Sequence, residues 1–573
     1  MTAASARSRA QRTPHITSAA PSSPAPPRWR ASRIADACAI AILVVVSAVA
    51  LMTFRDYGLG WDDYTHAEYG GLLLRLYASG FTDQRALSFV NLYAYGGGFD
   101  MIAALAAKIL PFGLFETRRL VGAAVGVIGL ATTWRIGRRI GGPAAGLIAT
   151  ALLATCPLYY GQMFMNAKDA PFAVAMAVLT LALLRALEQY PAPRISTKVL
   201  FGIGLGLSFG SRVIGVLGGF YAFAALALII AVECRRGDAR KAARRAGTFV
   251  LRLLPGLLLA YITMALVWPW SVVEPLNPIR ALLYFSHFFE HPWRELFDGA
   301  LILVPDMPRQ YVPQLFALTL PEIMLALGIA GIAAALVASA RAADPPERRA
   351  ALLLLVLSAT FPILLTVITR PAMYNGIRHF VFVAPPIAAL GGLAGGWIVA
   401  RAAACGRAAA LIAPVAIGAA MVPPVVDMAR LHPYEYVHFN HLAGGAAAAR
   451  ERYMLDYWGL SFRQAAQALV SFIARNHEAP ARHPHWHVAV CGPHRPVQAV
   501  LGPGFDLNWD PREAEFVIAL GEFYCRRIDA PMIAEVVRDG VTFARVYDIR
   551  GRTVTNLLTI PAPAPPPPSA PSP

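Results

Sequence analysis

Charge is scarce in this sequence: Asp, Glu, Lys and Arg make up 15% of its 573 residues, against 57% hydrophobic residues and a mean hydropathy of +0.50. A soluble domain has roughly a quarter of its residues charged, so this scarcity excludes a soluble globular fold, and lipid must solvate the chain. Acids are fewer than bases, 34 against 51, for a formal charge of +17. The excess does not point to nucleic acid, because the bases lie between long apolar runs rather than along one face. Cysteine is also sparse, six in all. Cys38, Cys156, Cys234 and Cys405 fall in or beside apolar runs, where small buried thiols are ordinary packing. Cys491 and Cys525 lie near the C-terminus, where an external location permits a disulfide; their spacing leaves open whether one forms.

Long apolar runs are abundant. About eleven reach the roughly 18 residues that cross a bilayer core: 35–54, 117–136, 143–160, 170–188, 199–215, 217–234, 249–268, 316–340, 350–368, 379–400 and 408–426. With the N-terminus cytoplasmic, Arg28, Arg30 and Arg33, then Arg135, Arg138 and Arg139, then Arg194 and Lys198 fall inside. So do the dense cluster Arg235, Arg236, Arg240, Lys241, Arg244 and Arg245, and Arg341, Arg348 and Arg349. One-sided placement is the positive-inside pattern, so the expected location is the bacterial inner membrane, with the N-terminus cytoplasmic and the C-terminal part periplasmic.

Residues 1–33, rich in Ser, Pro, Ala and Arg, read as a disordered cytoplasmic tail. Ala48-Val49-Ala50 loosely resembles a processing site, but the preceding apolar run is long for a signal peptide. Residues 561–573 form a Pro-rich tail expected to be extended. Between them lie a transmembrane domain, 34–427, and a periplasmic α/β domain, 428–560. Within the membrane domain, outer loops at 55–116 and 269–313 are too long to be connectors, while every inner segment is short. Polar material concentrated on one face favours an active site at the outer surface over a transporter with broken helices at the midplane.

Tyr64 to Ala78 carries Leu72, Leu73 and Leu76 at helical spacing beside Glu68 and Arg75, which reads as an amphipathic helix on the membrane surface. Phe99 to Leu110 reads as a second; counting it as a span would invert every later loop. Beyond His432 the apolar runs shorten. A helix at 461–475, a strand at 487–491, a helix at 495–501 and strands at 515–520 and 543–549 predict a small α/β domain.

Trp61-Asp62-Asp63 follows the first span directly. Adjacent carboxylates at a membrane surface raise a pKa by repulsion and desolvation, which suits a general base; equally, they suit the cap of the helix starting near Tyr64. Asn166-Ala167-Lys168-Asp169 lies between the third and fourth spans, where Asp169 meets the N-terminal dipole of the next helix; it too can be a cap.

These segments, with Tyr95-Gly96-Gly97-Gly98-Phe99-Asp100, Tyr374-Asn375-Gly376-Ile377-Arg378-His379-Phe380 and Asp456-Tyr457-Trp458-Gly459, carry a resemblance covering about residues 35–470. The chain resembles the GT-C superfamily, and within it the bacterial members of glycosyltransferase family 39, relatives of protein mannosyltransferases and of the aminoarabinose transferase of lipid A. The resemblance implies an inverting membrane glycosyltransferase that moves a sugar from a polyprenyl-phosphate donor to an envelope acceptor: a glycolipid, polysaccharide or protein. It implies Asp62 as catalytic base, with Asp63 and Asp169 beside it in the catalytic set. The family usually has Asp-Glu where this chain has Asp62-Asp63, so Asp63 is a shortened counterpart.

A departing lipid phosphate needs positive charge. Lys168, Arg378 and the neighbouring His379 are candidates in outer loops, as are Arg294, Arg309 and Arg370. Arg212 interrupts an apolar stretch, where a charge costs roughly 2.5–3.5 kcal/mol on insertion scales and needs a partner, either the phosphate or a structural salt bridge. His477, His483, His485, His487 and His494 do not form an evident metal set, since Pro484 interrupts them and no Cys or carboxylate completes it. No cofactor and no nucleic acid are expected; the partners are the lipid-linked sugar, the bilayer and an envelope acceptor. The rival readings are a lipid or polysaccharide transporter and a noncatalytic assembly factor of the same fold.

Overall fold

The computed structural model describes residues 28–237, 239–286, 293–480 and 484–559. Most of the expected N-terminal tail, all of 561–573, and His483 lie outside them. Among the described residues, nine helices are long and apolar enough to cross a membrane, and they account for the expected runs in an instructive way. The runs 117–136 and 143–160 fall within one continuous assignment, Leu114–Ala154, yet the chain reverses inside it. Gly142 adopts φ +84°, which only glycine takes without strain, and Pro143 follows. Gly137 is thereby folded against Gly146 and Ala149. The returning half continues past a break at Thr155 and Cys156 into Pro157–Met165. The run at 199–215 is a shorter helix, Ile195–Ser211.

Two limits expected from sequence move. The run at 316–340 is two helices, Tyr311–Thr319 and Glu322–Ala340, because Pro321 cannot continue the first. The first helix begins at Arg28, inside the segment expected to be irregular. The core pair is Leu114–Ala154 and Ala384–Cys405. There Gly391, Gly392, Gly395 and Gly396 let the backbones meet Ala145, Ile148, Ala149 and Leu152, the small-residue packing that membrane helices use in place of a hydrophobic drive.

The two ends of this body differ. At one end Arg138 pairs with Asp36 at 2.8 Å, Arg245 with Glu233 at 2.8 Å, and Arg139 with Glu188. The other end carries the surface helices Asp63–Ala78 and Gly98–Ala106, a hairpin of β1 (Arg294–Phe297) and β2 (Ala300–Leu303), and the C-terminal α/β domain. That domain's sheet consists of β3 (Trp486–Cys491), β4 (Phe505–Asn508), β5 (Phe516–Leu520), β6 (Met532–Arg538) and β7 (Val541–Asp548). Its order is β4-β3-β5-β7-β6, parallel where β3 meets β4 and β5, and antiparallel elsewhere. Sequence reading missed β4 and β6, an edge strand each and only partly buried, where alternation is weak. Cys491 and Cys525 form a disulfide that ties the end of β3 to the turn after β5.

Candidate active site

Asp62 and Asp63 are adjacent in sequence but sit in opposite environments. Asp63 is 4% exposed, and Arg119 grips both its oxygens, Nη1 to Oδ1 at 2.8 Å and Nη2 to Oδ2 at 2.6 Å. The Gly60 N–H donates to the same carboxylate at 2.7 Å. Such a group is saturated and neutralised. Asp62 is 40% exposed, makes no capping hydrogen bond, and has Arg378 Nη1 at 3.8 Å. It lines a narrow cleft of about 10 Å³ together with Asp63, His66, Asn166, Lys168 and Trp458. Burial alone would raise the Asp62 pKa, but the charges of Lys168, Arg378 and His66 outweigh it and hold the carboxyl below its ordinary range. Asp62 is therefore an ionised acceptor that remains reachable at the surface of the cleft.

Asp169 is 1% exposed and ion-paired with Arg212, with Asn166 Nδ2 donating at 2.9 Å. Asn166 caps the following helix by accepting the Lys168 and Asp169 N–H groups at 3.1 and 2.8 Å. Arg212 is not stranded in mid-helix; it sits at the break between Ile195–Ser211 and the short helical turn Val213–Val216. The structural salt bridge left open by the sequence is thus present, made with Asp169.

Lys168 Nζ lies 4.7 Å from the centroid of the Tyr95 ring, and the Arg212 guanidinium lies 5.7 Å from the same ring. Desolvation lowers Lys168 to about 8. Arg378 is sandwiched between Trp458 and Tyr374, 4.8 and 5.2 Å from their centroids. Its Nε and the neighbouring His379 Nδ1 are buried with no hydrogen-bond partner among the described residues. Asp62 and Asp169 stand against Lys168, Arg212 and Arg378, while Asp100 and Asp63 are taken up by Arg118 and Arg119, so these five cations meet four carboxylates and one positive charge is in excess. Orphaned donors beside an uncompensated cation make a site for an anion.

Sequence reading missed several members. Arg118 and Arg119 open a span at the end where bases are rare, a signal that was available. Arg118 donates to the buried Asp100 at 2.6 Å, and Asp100 holds His66 Nδ1 at 2.8 Å. His66, one helical turn beyond Asp62, was visible by spacing alone. Other candidates lie elsewhere. Arg309 and Arg370 bind main-chain carbonyls, of Val367 and Ile368 and of Asp306 and Met307 respectively, so they serve chain ends. Arg294 is part of β1. Asp506 does approach His485 and His487, at 3.3 and 3.7 Å, a carboxylate neighbour that the sequence did not reveal. Among the described residues no group of three or more His, Cys, Asp or Glu is placed to hold a metal ion.

Residues 98–270 match the family model described as dolichyl-phosphate-mannose-protein mannosyltransferase. No curated protein matches significantly. Among solved structures the chain is similar to ArnT from Cupriavidus metallidurans bound to undecaprenyl phosphate, at 17% identity and a TM-score of 0.44, covering 89% of this chain and 97% of that one. It is also similar to the Archaeoglobus fulgidus oligosaccharyltransferase in the apo form, at 14% identity and a TM-score of 0.48, covering 83% and 65%. The segment similar to that family model holds Asp100, Lys168, Asp169 and Arg212, while Asp62, Arg378 and Trp458 lie outside it.

Proposed function

We propose that the chain transfers a sugar from a polyprenyl-phosphate donor to a hydroxyl of an envelope acceptor, with inversion, at the outer face of the inner membrane. The observation that carries this reading is the position of Asp62: the one accessible carboxylate of the cluster stands beside Arg378 and Lys168, next to the partnerless Arg378 Nε and His379 Nδ1. Asp62 accepts the proton of the acceptor hydroxyl as its oxygen attacks the sugar carbon. The lipid phosphate leaves with its charge received by Arg378, Lys168 and His379. Asp169 and Arg212 fix Lys168 through the Asn166 cap, and Asp63 fixes the turn that carries Asp62. Aromatic faces at Tyr95, Tyr374 and Trp458 surround the cations, and the same chemistry suits a sugar ring.

The test is a transfer assay with purified protein and donors made from undecaprenyl phosphate, alongside mass spectrometry of envelope glycolipids and glycoproteins from a deletion strain. Loss of one sugar in the strain identifies donor and acceptor. Asp62→Asn should reduce transfer roughly 10²–10⁴-fold, the range for removing a general base. Transfer at the parent rate would defeat the mechanism.

A further inference from the structure

Arg378 and Trp458 are brought together by two loops that have no reason of their own to hold their shapes. The first loop passes through Asn375 and Gly376, both with left-handed backbone, at φ +55° and +68°. Asn and Gly tolerate that conformation best, but tolerance does not place the loop against the site. The group that holds it there is Glu295, in β1. One of its oxygens accepts the Asn375 N–H at 2.8 Å, and the other accepts the Tyr311 hydroxyl at 2.7 Å. The Tyr311 oxygen in turn accepts the Gly376 N–H at 3.0 Å. Both N–H groups of the turn are therefore bound through one carboxylate, two residues ahead of Arg378.

The second loop, 455–461, is held in the same manner from the C-terminal domain. Glu522 Oε1 accepts the N–H groups of Leu455 and Asp456 at 3.1 and 2.7 Å. Asp456 then turns the loop by accepting from Gly459, Leu460 and Ser461. Trp458 rides on that turn, and its carbonyl accepts the Trp61 N–H at 3.2 Å, next to Asp62. The turn bearing Glu522 is closed by the Cys491–Cys525 disulfide, and the Cys525 N–H donates to the Glu522 carbonyl at 3.0 Å. Glu295 and Glu522 are 2% and 9% exposed and do not line the Asp62 cleft.

We propose that Glu295 and Glu522 are positioning residues that hold the Arg378–Trp458 stack in register with Asp62, each by clamping the main chain of one of the two loops. This rests on the reading of Arg378 as the phosphate ligand only for its effect on binding; the clamps themselves are a claim about the loops. A buried carboxyl group committed to two donors is an expensive arrangement, and burial pushes Glu295 up to about 7 and Glu522 to about 8. Its oxygens accept hydrogen bonds with or without the proton, and positioning of this kind is what holds functional groups to within about half an ångström.

The experiment uses the full chain in lipid nanodiscs and two readouts. The first is hydrogen–deuterium exchange, followed by peptide mass spectrometry. Glu295→Leu should speed exchange at least about tenfold over residues 374–380 and leave 455–461 at the parent rate; Glu522→Leu should do the reverse. The second is binding of undecaprenyl phosphate, which should weaken about tenfold in both. Glu295→Gln and Glu522→Gln keep an acceptor oxygen and should restore both readouts close to the parent. Parental exchange in the matched loop of either leucine variant would overturn the proposal, as would parental affinity in both. Should a leucine variant lose protection throughout, the aspartate variants carry the test, since they keep the carboxyl group but withdraw it by one methylene. Faster exchange confined to the matched loop then supports the clamp, and unchanged exchange overturns it. A parent protein that does not bind undecaprenyl phosphate would defeat the phosphate reading, while the exchange measurements would still decide the clamps.

Discussion

Arg119 holds both carboxylate oxygens of Asp63, at 2.8 and 2.6 Å, across 56 residues of sequence. This pairing separates the two aspartates by role. Removing one partner of a buried ion pair leaves the other uncompensated, at about 3–5 kcal/mol. Asp63→Asn and Arg119→Ala should therefore both lower the thermal midpoint strongly, and whatever folded Asp63→Asn protein survives should keep more turnover than Asp62→Asn. A scan showing parental stability with turnover below that of Asp62→Asn would mean that Asp63 is the base.

The Asp169–Arg212 pair makes a second, distinct expectation. Arg212→Ala should destabilise the protein before it weakens donor binding, because it strands Asp169, whereas Arg378→Ala should weaken donor binding with little effect on folding. In a double-mutant cycle, Asp169→Asn with Arg212→Gln should recover part of the stability lost by each alone, a coupling of roughly 0.5–3 kcal/mol. Additive losses would show that the two side chains act separately.

Lys168 sets the alkaline limit. Its pKa lies near 8 rather than 10.5, so it is cationic below that pH and becomes neutral as the pH rises through it. Affinity for a lipid phosphate should accordingly be full below about pH 8 and fall above it, while Asp62, held below the usual carboxylate range, stays ionised across neutrality. Lys168→Arg should carry binding to more alkaline pH, because a guanidinium keeps its proton. A pH profile of undecaprenyl phosphate binding that is identical in the two proteins would remove Lys168 from the site.

Topology can be read with reporters. Alkaline phosphatase fusions near Tyr64, Asn166, Leu282 and Asn440 should be active, and those near Arg138, Arg240 and Arg348 inactive, because the basic clusters retain their segments in the cytoplasm. An active fusion at Arg240 would reverse the orientation and move the site to the other face.

Much of the architecture was legible because its causes are local. Apolar run length gives the spans, and the strands at 487–491 and 515–520 are apolar enough to announce themselves. The reversal between the two spans within Leu114–Ala154, by contrast, turns on one left-handed glycine, and the break at Pro321 on a proline that ends one helix before the next begins. Within the site, Asp62, Lys168, Asp169 and Arg378 each stood out as charge at a span end. Their pairings did not: nothing local joins Arg119 to Asp63 or His66 to Asp100, and Glu295 and Glu522 lie far along the sequence from the loops they bind.

The sequence by itself determined that this chain crosses a membrane many times, which end of the bundle gathers the basic clusters, and which acidic and basic residues stand at the opposite end. Hydropathy and charge placement are properties of each segment alone, and lipid reads them segment by segment. Only the tertiary structure decided which of two adjacent aspartates is free and which is bound, that Arg212 is committed to Asp169, and that Trp458 from the last domain closes on Arg378. Those outcomes depend on which side chain reaches a given carboxylate first within hydrogen-bonding distance, and that is fixed by how distant segments pack, not by the residues next to it in the chain.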